Sequence, residues 1–427
     1  MSYAKFVVRH YKQKEDYTYE SSYTTLPAFD VRVKTAIGDK RDTFQFKILN
    51  IEDTYNTFLD TGDKIDIYLL VDEETPSSDN LIMSGAIKNI QKDLNADNEI
   101  FIVDGINYSE VIMNALIFVS RDEGGNAINV IRDMINDVNR RSAAFLGSKF
   151  FITWNSGNPD GTGWPTLQKV NEFYKSGIYM MEKYLTGDFV PDNTRYFWYI
   201  NKDNELVIRA RDTVISQSGG QNITLTDGQD FYGLKIGSDI SEVKNFVVYK
   251  CGRTPKGKII MGYADNPVSR AKHGFKYHLL IREEIANQLM ENEQLTNGTE
   301  FSADKLFPSS YSYTTNYTST IEYDEKGVSA TIGSPVEVDN DDEWEFAFKK
   351  EANARGAIEA QAFINDYANG YLQITGDTPL DLTYQVGQLI IFNSERFGLN
   401  NKLLRIHELD YSIDGLRIVM QEDEATI

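Results

Sequence analysis

The densest group of side chains that could do chemistry is an acidic run near residue 340. It reads Asp339-Asn-Asp-Asp-Glu-Trp-Glu. Two carboxylates on either side of a glycosidic bond can hydrolyse it, so Glu343 and Glu345 are the candidate pair of a cell-wall hydrolase. Carboxylate oxygens also bind Ca²⁺, but the run lacks the alternating ligand positions and the turn glycine of an EF-hand loop. A solvated acidic loop is the interpretation that needs no chemistry.

Histidine and cysteine offer little for catalysis or metal binding. The four histidines, His10, His273, His278 and His407, are scattered, and none forms the paired spacing of a zinc site. Cys251 is the single cysteine, which excludes an internal disulfide and a cysteine-based zinc site within one chain. We therefore predict no metal and no cofactor.

Glycine pairs and tryptophans are the remaining candidates. Gly124-Gly125 and Gly219-Gly220 do not extend into a phosphate-binding motif, so both pairs indicate turns. Trp154 and Trp164 flank a glycine-rich loop and could stack on a sugar ring. Burial in a core or an interface is the commoner role of tryptophan.

The bulk composition bounds the answer. The chain has 427 residues, 41% hydrophobic residues and a net charge of −21, which predicts a soluble protein of two to four domains. No apolar run approaches the roughly 20 residues of a membrane-spanning helix. Residues 1–10 have the pattern of a first strand rather than of a signal peptide. The acidic balance disfavours specific nucleic-acid binding, because phosphate recognition needs clustered Lys and Arg.

Two distant stretches have the pattern of the same half of a β-barrel. The first runs from Phe58-Leu-Asp-Thr-Gly-Asp-Lys-Ile-Asp-Ile-Tyr through residues 83–90 and 99–104. The second runs from Thr383-Tyr-Gln-Val-Gly-Gln-Leu-Ile-Ile-Phe through residues 402–411 and 415–420. In each stretch a glycine, Gly62 or Gly387, makes a turn that leads into a strand of alternating apolar residues, and two further strands follow. Three subunits with two such barrels each could form a pseudo-sixfold ring, which points to assembly rather than catalysis.

Other elements are placed by periodicity. Apolar residues at helical spacing predict a helix over 127–139, and we expect further helices over 166–185 and 350–368. Residues 196–210 predict a hairpin with Asp203-Asn204 at its turn. Residues 264–345 are polar and predict a long loop or small insertion.

The fold class predicted is mainly β with α+β parts, containing two tube-protein-like antiparallel β-barrels. The predicted parts are a first barrel (1–108), a helical α+β domain (109–195), a hairpin and strands opening the second barrel (196–265), a polar insertion (266–349) and a helix with the closing strands (350–427).

The order of these elements resembles the baseplate hub proteins of tailed phages and related contractile injection machines, the family that includes late control protein D and the hub half of the type VI secretion spike. The resemblance rests on these segments: Phe44-Gln-Phe-Lys-Ile, 61–67, 81–87, the aromatic hairpin Phe197-Trp-Tyr-Ile-Asn-Lys-Asp-Asn-Glu-Leu, 240–249, 351–367, 386–391 and 404–411. The polar region 264–345 departs from the family pattern, and no spike segment is evident.

This resemblance implies a non-enzymatic homotrimer that adapts a sixfold tail tube to a threefold central spike or fibre and forms part of the DNA channel. The partners implied are a tail tube or distal tail protein, a spike or fibre protein and, as a further candidate, the tape measure protein. The location implied is the virion tail, after assembly in the bacterial cytoplasm.

The assembly residues predicted lie on the two repeats, where apolar faces must pack: Gly62, Ile65, Ile67, Gly85, Gly387, Leu389 and Ile391. Two other functions stay open from the residues alone. They are a tail-associated peptidoglycan hydrolase that uses Glu343 or Glu345, and a carbohydrate-binding protein that uses Trp154 and Trp164.

Overall fold

The structure is a computed structural model of the whole chain. It describes residues 4–16, 18–38, 42–50, 54–72, 75–95, 98–121, 125–146, 152–167, 170–185, 189–191, 196–210, 223–239, 243–254, 257–283, 285–287, 289, 311–313, 321–324, 327–330, 336–338, 341–368 and 371–422. The chain forms two compact units, one of Met1–Gly237 with Gln373–Ile427 and one of Ser238–Leu372. The sequence of the second unit thus interrupts that of the first.

Seven strands open the first unit and build a barrel. They are β1 (Ala4–Tyr11), β2 (Thr24–Leu26), β3 (Ala28–Ala36), β4 (Thr43–Asn50), β5 (Lys64–Val71), β6 (Leu81–Asn95) and β7 (Asn98–Asn107). The pairing order is β3-β4-β7-β6-β5-β1-β2. Because only Pro27 separates β2 from β3, these two pieces act as one bent strand, and its pairing with both β1 and β4 closes the barrel.

Alternation of side chains explains why this barrel has an apolar interior. In β4 every second residue is buried, with Phe44, Phe46 and Ile48 inside and polar residues between them. This is the period of two that a half-buried strand requires. In β5 both faces are covered, so that even Asp66 is buried.

A helical α+β region follows in the first unit. Its elements are α1 (Ser109–Asn114), β8 (Leu116–Arg121), α2 (Ala127–Leu146), β9 (Thr153–Trp154), β10 (Val170–Ser176), α3 (Gly177–Tyr184), β11 (Tyr196–Ile200) and β12 (Glu205–Ala210). One hydrophobic cluster joins the buried faces of α2 and α3 to β8 and to the aromatic hairpin β11–β12.

The chain then begins the second barrel, crosses the second unit and returns. Strands β13 (Ile223–Thr226) and β14 (Tyr232–Asp239) come first. The second unit holds β15 (Phe246–Arg253), β16 (Ile259–Asp265), α4 (Pro267–His273), β17 (Tyr277–Ile281), β18 (Tyr311–Tyr313), β19 (Ile321–Asp324), β20 (Gly327–Ala330), β21 (Val336–Val338) and α5 (Asp341–Tyr367). Strands β22 (Tyr371–Thr378), β23 (Leu389–Ser394), β24 (Leu399–Ser412) and β25 (Gly415–Glu422) complete the barrel.

The second barrel repeats the strand order of the first. Its order β14-β22-β25-β24-β23-β13 matches β3-β4-β7-β6-β5-β1, strand for strand. The described strands differ in that β13 pairs with β23 in parallel, whereas β1 pairs with β5 antiparallel, and in that no counterpart of β2 lies beside β13. The mainly β fold with two related barrels is therefore confirmed.

Several predicted elements are confirmed and others need correction. The hairpin over 196–210 is present, with Asn204 in a left-handed conformation at its turn, and the helix over 127–139 extends to Leu146. The helix predicted over 166–185 was wrong in its first half, because Val170–Ser176 pairs with β8 as a strand and only Gly177–Tyr184 is helical. The helix predicted over 350–368 begins earlier, at Asp341, and the polar segment before it contains α4 and β17.

None of the helices in the described ranges is both long and apolar enough to cross a membrane.

Candidate functional site

The turn that opens each repeat has the same geometry in both barrels. Asp63 N–H donates to the carbonyl of Asp60 at 3.2 Å, and Gln388 N–H donates to the carbonyl of Gln385 at the same distance. The third residue of each turn is a glycine with positive φ, 90° at Gly62 and 81° at Gly387. Both turns therefore have the type II signature, in which glycine avoids a steric penalty.

The same turns are held in the same way by their side chains and by the next strand. The backbone N–H of the first turn residue donates to the side chain of the fourth, from Asp60 to Asp63 and from Gln385 to Gln388. Each turn glycine donates from its N–H to the backbone carbonyl of an isoleucine one strand further along the chain, Gly62 to Ile87 of β6 at 2.7 Å and Gly387 to Ile406 of β24 at 2.8 Å.

A β-bulge follows each of these isoleucines. Lys88 is the extra residue between Ile87 and Asn89, and His407 is the extra residue between Ile406 and Glu408. Turn, hydrogen bond and bulge thus recur together, so the sequence repeat corresponds to two copies of one structural unit.

The predicted assembly residues all lie within this repeated framework. Ile65 and Ile67 are fully buried inside the first barrel, and Leu389 is buried in the second. Ile391, between the buried Ile390 and Phe392, is partly exposed. A side chain at Gly85 would meet the backbone carbonyl of Ile106 at 2.2 Å, so this position requires glycine for packing within the chain.

A buried His–Asp pair, which sequence reasoning missed, anchors the first turn. His10 Nε2 lies 2.8 Å from Asp63 Oδ2, and both side chains are almost fully buried. Asp63 also accepts from the backbone N–H of Gln13 at 2.8 Å and from that of Asp60 at 2.9 Å. Burial raises the pKa of Asp63, but the hydrogen bonds outweigh it, and the pKa is lowered overall.

A buried arginine, also missed, ties the second turn to the aromatic hairpin. Arg405 Nη1 donates to the carbonyl of Gly387 at 2.6 Å, and its guanidinium lies over the Phe197 ring at 4.7 Å from the centroid. A cation over an aromatic face is attractive, and more so when it is shielded from water. The sequence signal is a charged residue between the apolar Leu404 and Ile406 of β24.

Strand β24 joins the two barrels into one sheet of thirteen strands. Its residues 408–411 pair antiparallel with residues 33–36 of β3. Lys34 Nζ lies 2.8 Å from Glu408 Oε1 across this seam, and the N–H of Ile37 donates to the carbonyl of His407 at 3.1 Å. The seam uses strand edges that would otherwise be open.

The candidate catalytic carboxylates lie at the start of a helix. Positions 343 and 345 belong to α5, in its first turns. Positions two apart on an α-helix lie on different faces, so the helix does not favour a carboxylate pair acting on one bond. Acidic residues are favourable near a helix N-terminus, which agrees with a helix that begins at Asp341.

The other sequence candidates lie in cores or strands. Trp164 is buried, with its ring centroid 4.7 Å from that of Tyr196, and Trp154 is partly buried beneath the Arg132 guanidinium at 4.8 Å. Cys251 is fully buried in the second unit. Across the ranges given above, no three His, Cys, Asp or Glu side chains are placed to hold a metal ion. Gly124, Gly219 and Gly220 lie outside the described residues.

The fold is shared with a prophage tail protein and with a second tail protein. The chain is similar to the 43 kDa tail protein of prophage MuSo2 from Shewanella oneidensis, with 10% identity, a TM-score of 0.51 and coverage of 99% of both chains. It is also similar to the tail protein from Neisseria meningitidis MC58, with 10% identity, a TM-score of 0.52 and coverage of 98% of this chain and 97% of that chain. No protein-family model and no curated protein sequence matches the chain. The resemblance to a phage hub protein is thus confirmed at the level of the fold.

Proposed function

We propose that the chain is a structural hub protein of a phage tail or of a related injection machine. Three copies form a ring in which first and second barrels alternate, so that six similar barrels face a sixfold tail tube. Elements that occur once in each chain occur three times in this ring, which suits contact with a threefold central spike or fibre. The ring surrounds part of the channel through which DNA leaves the virion.

The observation that carries the proposal is the pairing of two like barrels through one continuous sheet. Equal strand order makes the two barrels near-equivalent units, and the seam between β24 and β3 fixes their spacing within one chain. When the same head-to-tail contact joins each copy to the next, the copies form a closed ring if the rotation between neighbours is a whole fraction of a full turn. Two related units per chain and three chains give a pseudo-sixfold ring.

The similarity to a prophage tail protein and to a second tail protein, over nearly the whole chain, supports a place in the virion tail. The partners proposed are a tail tube or distal tail protein on one side and a spike or fibre protein on the other, with the tape measure protein as a further candidate. The role is geometric and non-enzymatic. The residues that build the two repeats act through folding, since most of them are buried within the chain.

Light scattering on the purified protein over a range of concentrations tests the ring. We expect three times the mass of one chain, and we expect negative-stain images of that species to show a channel with pseudo-sixfold symmetry. A trimer without a channel would refute the hub. A peptidoglycan-clearing activity that is lost in a Glu343→Gln or Glu345→Gln variant would establish the hydrolase instead.

A further inference from the structure

The three-stranded sheet of the second unit has two apolar faces. Strands β16, β15 and β17 lie side by side in that order. One face, which includes Val247, Tyr249 and Leu280, is buried in a cluster with residues of α5. The opposite face, formed by the outward side chains of β15, β16 and β17 together with Phe275, is called the outer sheet face below.

The strand register sets the outward residues in rows across the sheet. Val248 lies between Tyr263 of β16 and Leu279 of β17. Lys250 lies between Met261 and Ile281 in the next row. Apolar side chains therefore cross all three strands in the first row, and in the second row a lysine stands between two apolar side chains.

These side chains are widely exposed. The exposed fractions are 56% for Met261, 46% for Tyr263, 57% for Phe275, 72% for Tyr277, 54% for Leu279 and 51% for Ile281. With about 150–250 Å² for a whole aromatic side chain, the six expose on the order of 700 Å². The largest apolar patch of a typical monomer is about 300–600 Å², and each partner of a standard interface buries about 800 Å². The outer sheet face thus has the size of an interface.

The alternation within β17 shows that the exposure is not a by-product of the core. A sheet that covers a core with one face normally presents polar residues on the other. In β17 the inward Leu280 is buried, yet Tyr277, Leu279 and Ile281 point outward. These three side chains do not pack in the core of the second unit.

The segment that forms the three strands, residues 243–283, has a net charge opposite in sign to that of the whole chain. Residues 243–283 contain nine Lys or Arg and two Asp or Glu, a net charge of +7 within a chain of −21, so the rest of the chain carries −28. Ion pairs between described residues of the unit include Lys250 with Glu283, Arg270 with Asp265 and Arg282 with Glu359. Arg253 and Lys258 are exposed at one end of the sheet, and Lys272 and Lys276 at the other. An apolar face with exposed basic residues at both ends of its sheet fits an acidic, apolar counterpart.

We propose that the outer sheet face docks on an acidic surface of a second copy of this chain. The inference rests on the trimer of the proposed function. In that trimer two different surfaces meet between neighbouring copies, and the outer sheet face is one of them. The contact is heterologous, with the basic face of one copy against a different, acidic surface of the next.

Charge decides against two other arrangements. Two outer sheet faces packed against each other would bring like charges together, which disfavours a twofold dimer. Single-stranded nucleic acid binds through aromatic stacking and an unbroken basic groove, but aliphatic side chains at Met261, Leu279 and Ile281 occupy half of the exposed positions. In a ring of copies the apolar side chains of the outer sheet face are buried, and its basic residues lie against an acidic surface.

The test compares the solution mass of four proteins by light scattering: wild type, Tyr277→Glu, Tyr277→Lys and the control Ile413→Glu. Ile413 is 59% exposed in the β24–β25 turn, so the control adds the same charge at an exposed apolar position of the other unit. We expect Tyr277→Glu to raise the concentration for half-trimerisation by about thirtyfold or more, as for loss of a large aromatic contact that carries much of the binding energy. Tyr277→Lys should raise it less, because it keeps the charge of the face, and the control should leave it unchanged.

The outcomes separate the two proposals. A trimer that survives Tyr277→Glu as well as the control overturns the outer sheet face and leaves the ring intact. Dissociation by Tyr277→Glu of a trimer that shows no sixfold channel supports the face and refutes the hub. Self-association that Tyr277→Glu strengthens indicates face-to-face pairing and overturns the heterologous contact. A wild-type monomer at all concentrations overturns the docking of a second copy, and binding of a single-stranded DNA oligonucleotide to that monomer, lost on Tyr277→Glu, would name nucleic acid as the occupant.

Discussion

At the scale of residues, two buried aspartates of the first barrel differ in their partners. Asp63 accepts hydrogen bonds from His10 and from two backbone N–H groups, and its pKa is lowered. Asp42 accepts from the backbone N–H of Ala36 at 2.8 Å and from the Asn107 amide, and burial raises its pKa to about 8. Hydrogen bonds from a cation or from several N–H groups stabilise the charged form, whereas burial destabilises it. Aspartate is therefore ionised at position 63 and protonated near neutral pH at position 42, although both residues precede strands of the same barrel.

This difference predicts a pH dependence of stability for Asp42. Between about pH 4 and pH 8 the folded state binds a proton at Asp42 that the unfolded state has released, so the free energy of unfolding falls as the pH rises. From pH 5 to pH 8 the loss amounts to at most about 4 kcal/mol, at about 1.4 kcal/mol per pH unit. Urea unfolding at both pH values should show this loss in the wild type and a smaller one in Asp42→Asn. Equal losses in the two proteins would contradict the prediction.

At the scale of elements, the repeated turn depends on glycine for two reasons that can be separated. Gly387 has positive φ, and a side chain there would also meet the Phe197 ring at 2.4 Å. Phe197 is buried beneath Arg405, so the ring has little room to move. Gly398 also has positive φ, but nothing lies within 4 Å of the position of its side chain.

Gly387→Ala should therefore destabilise more than Gly398→Ala. Positive φ alone costs an alanine about 1–2 kcal/mol, and overpacking of a buried site adds about 1–3 kcal/mol. We expect Gly398→Ala to show only the first cost and Gly387→Ala to show both, in thermal or urea unfolding. Equal effects would mean that Phe197 yields without cost, and relief by Phe197→Leu in the Gly387→Ala background would confirm the contact.

How far the sequence predicts these elements depends on whether the information is local. The barrel strands follow alternation, as in β4 with Phe44 and Phe46 inside, and the glycine turns follow from backbone sterics. Strand β10 was misread as helix because its pairing with β8 is decided by tertiary contacts rather than by its own residues. The outer sheet face was missed because alternation does not reveal which of two apolar faces of β17 meets the core. Arg405 and the His10–Asp63 pair depend on contacts between distant segments, which no local pattern encodes.

At the scale of the whole molecule, the second unit is an insertion between two neighbouring strands of the second barrel. The chain leaves this barrel along β14 and returns along β22, and the two strands are adjacent in the sheet. The positions of the glycines show that the strands run antiparallel there. A side chain at Gly376 would meet the carbonyl of Tyr232 at 2.8 Å, and one at Gly233 would meet Asp377 at 3.1 Å, so the start of β14 lies beside the end of β22. The end of β14 and the start of β22 are then neighbours that a tight turn could join.

Replacement of residues 240–370 by an Asn-Gly turn should accordingly leave the first unit folded. A two-residue type I′ turn connects adjacent antiparallel strands, and insertions tolerate removal when their ends are close. We expect a β-rich circular dichroism spectrum, a cooperative thermal transition and the mass of a monomer, because the outer sheet face is removed with the insertion. Aggregated or unfolded protein would show that the two barrels need the second unit to fold. A folded trimer would show that the ring is held by the barrels alone, and the docking surface would then have to be sought on the first unit.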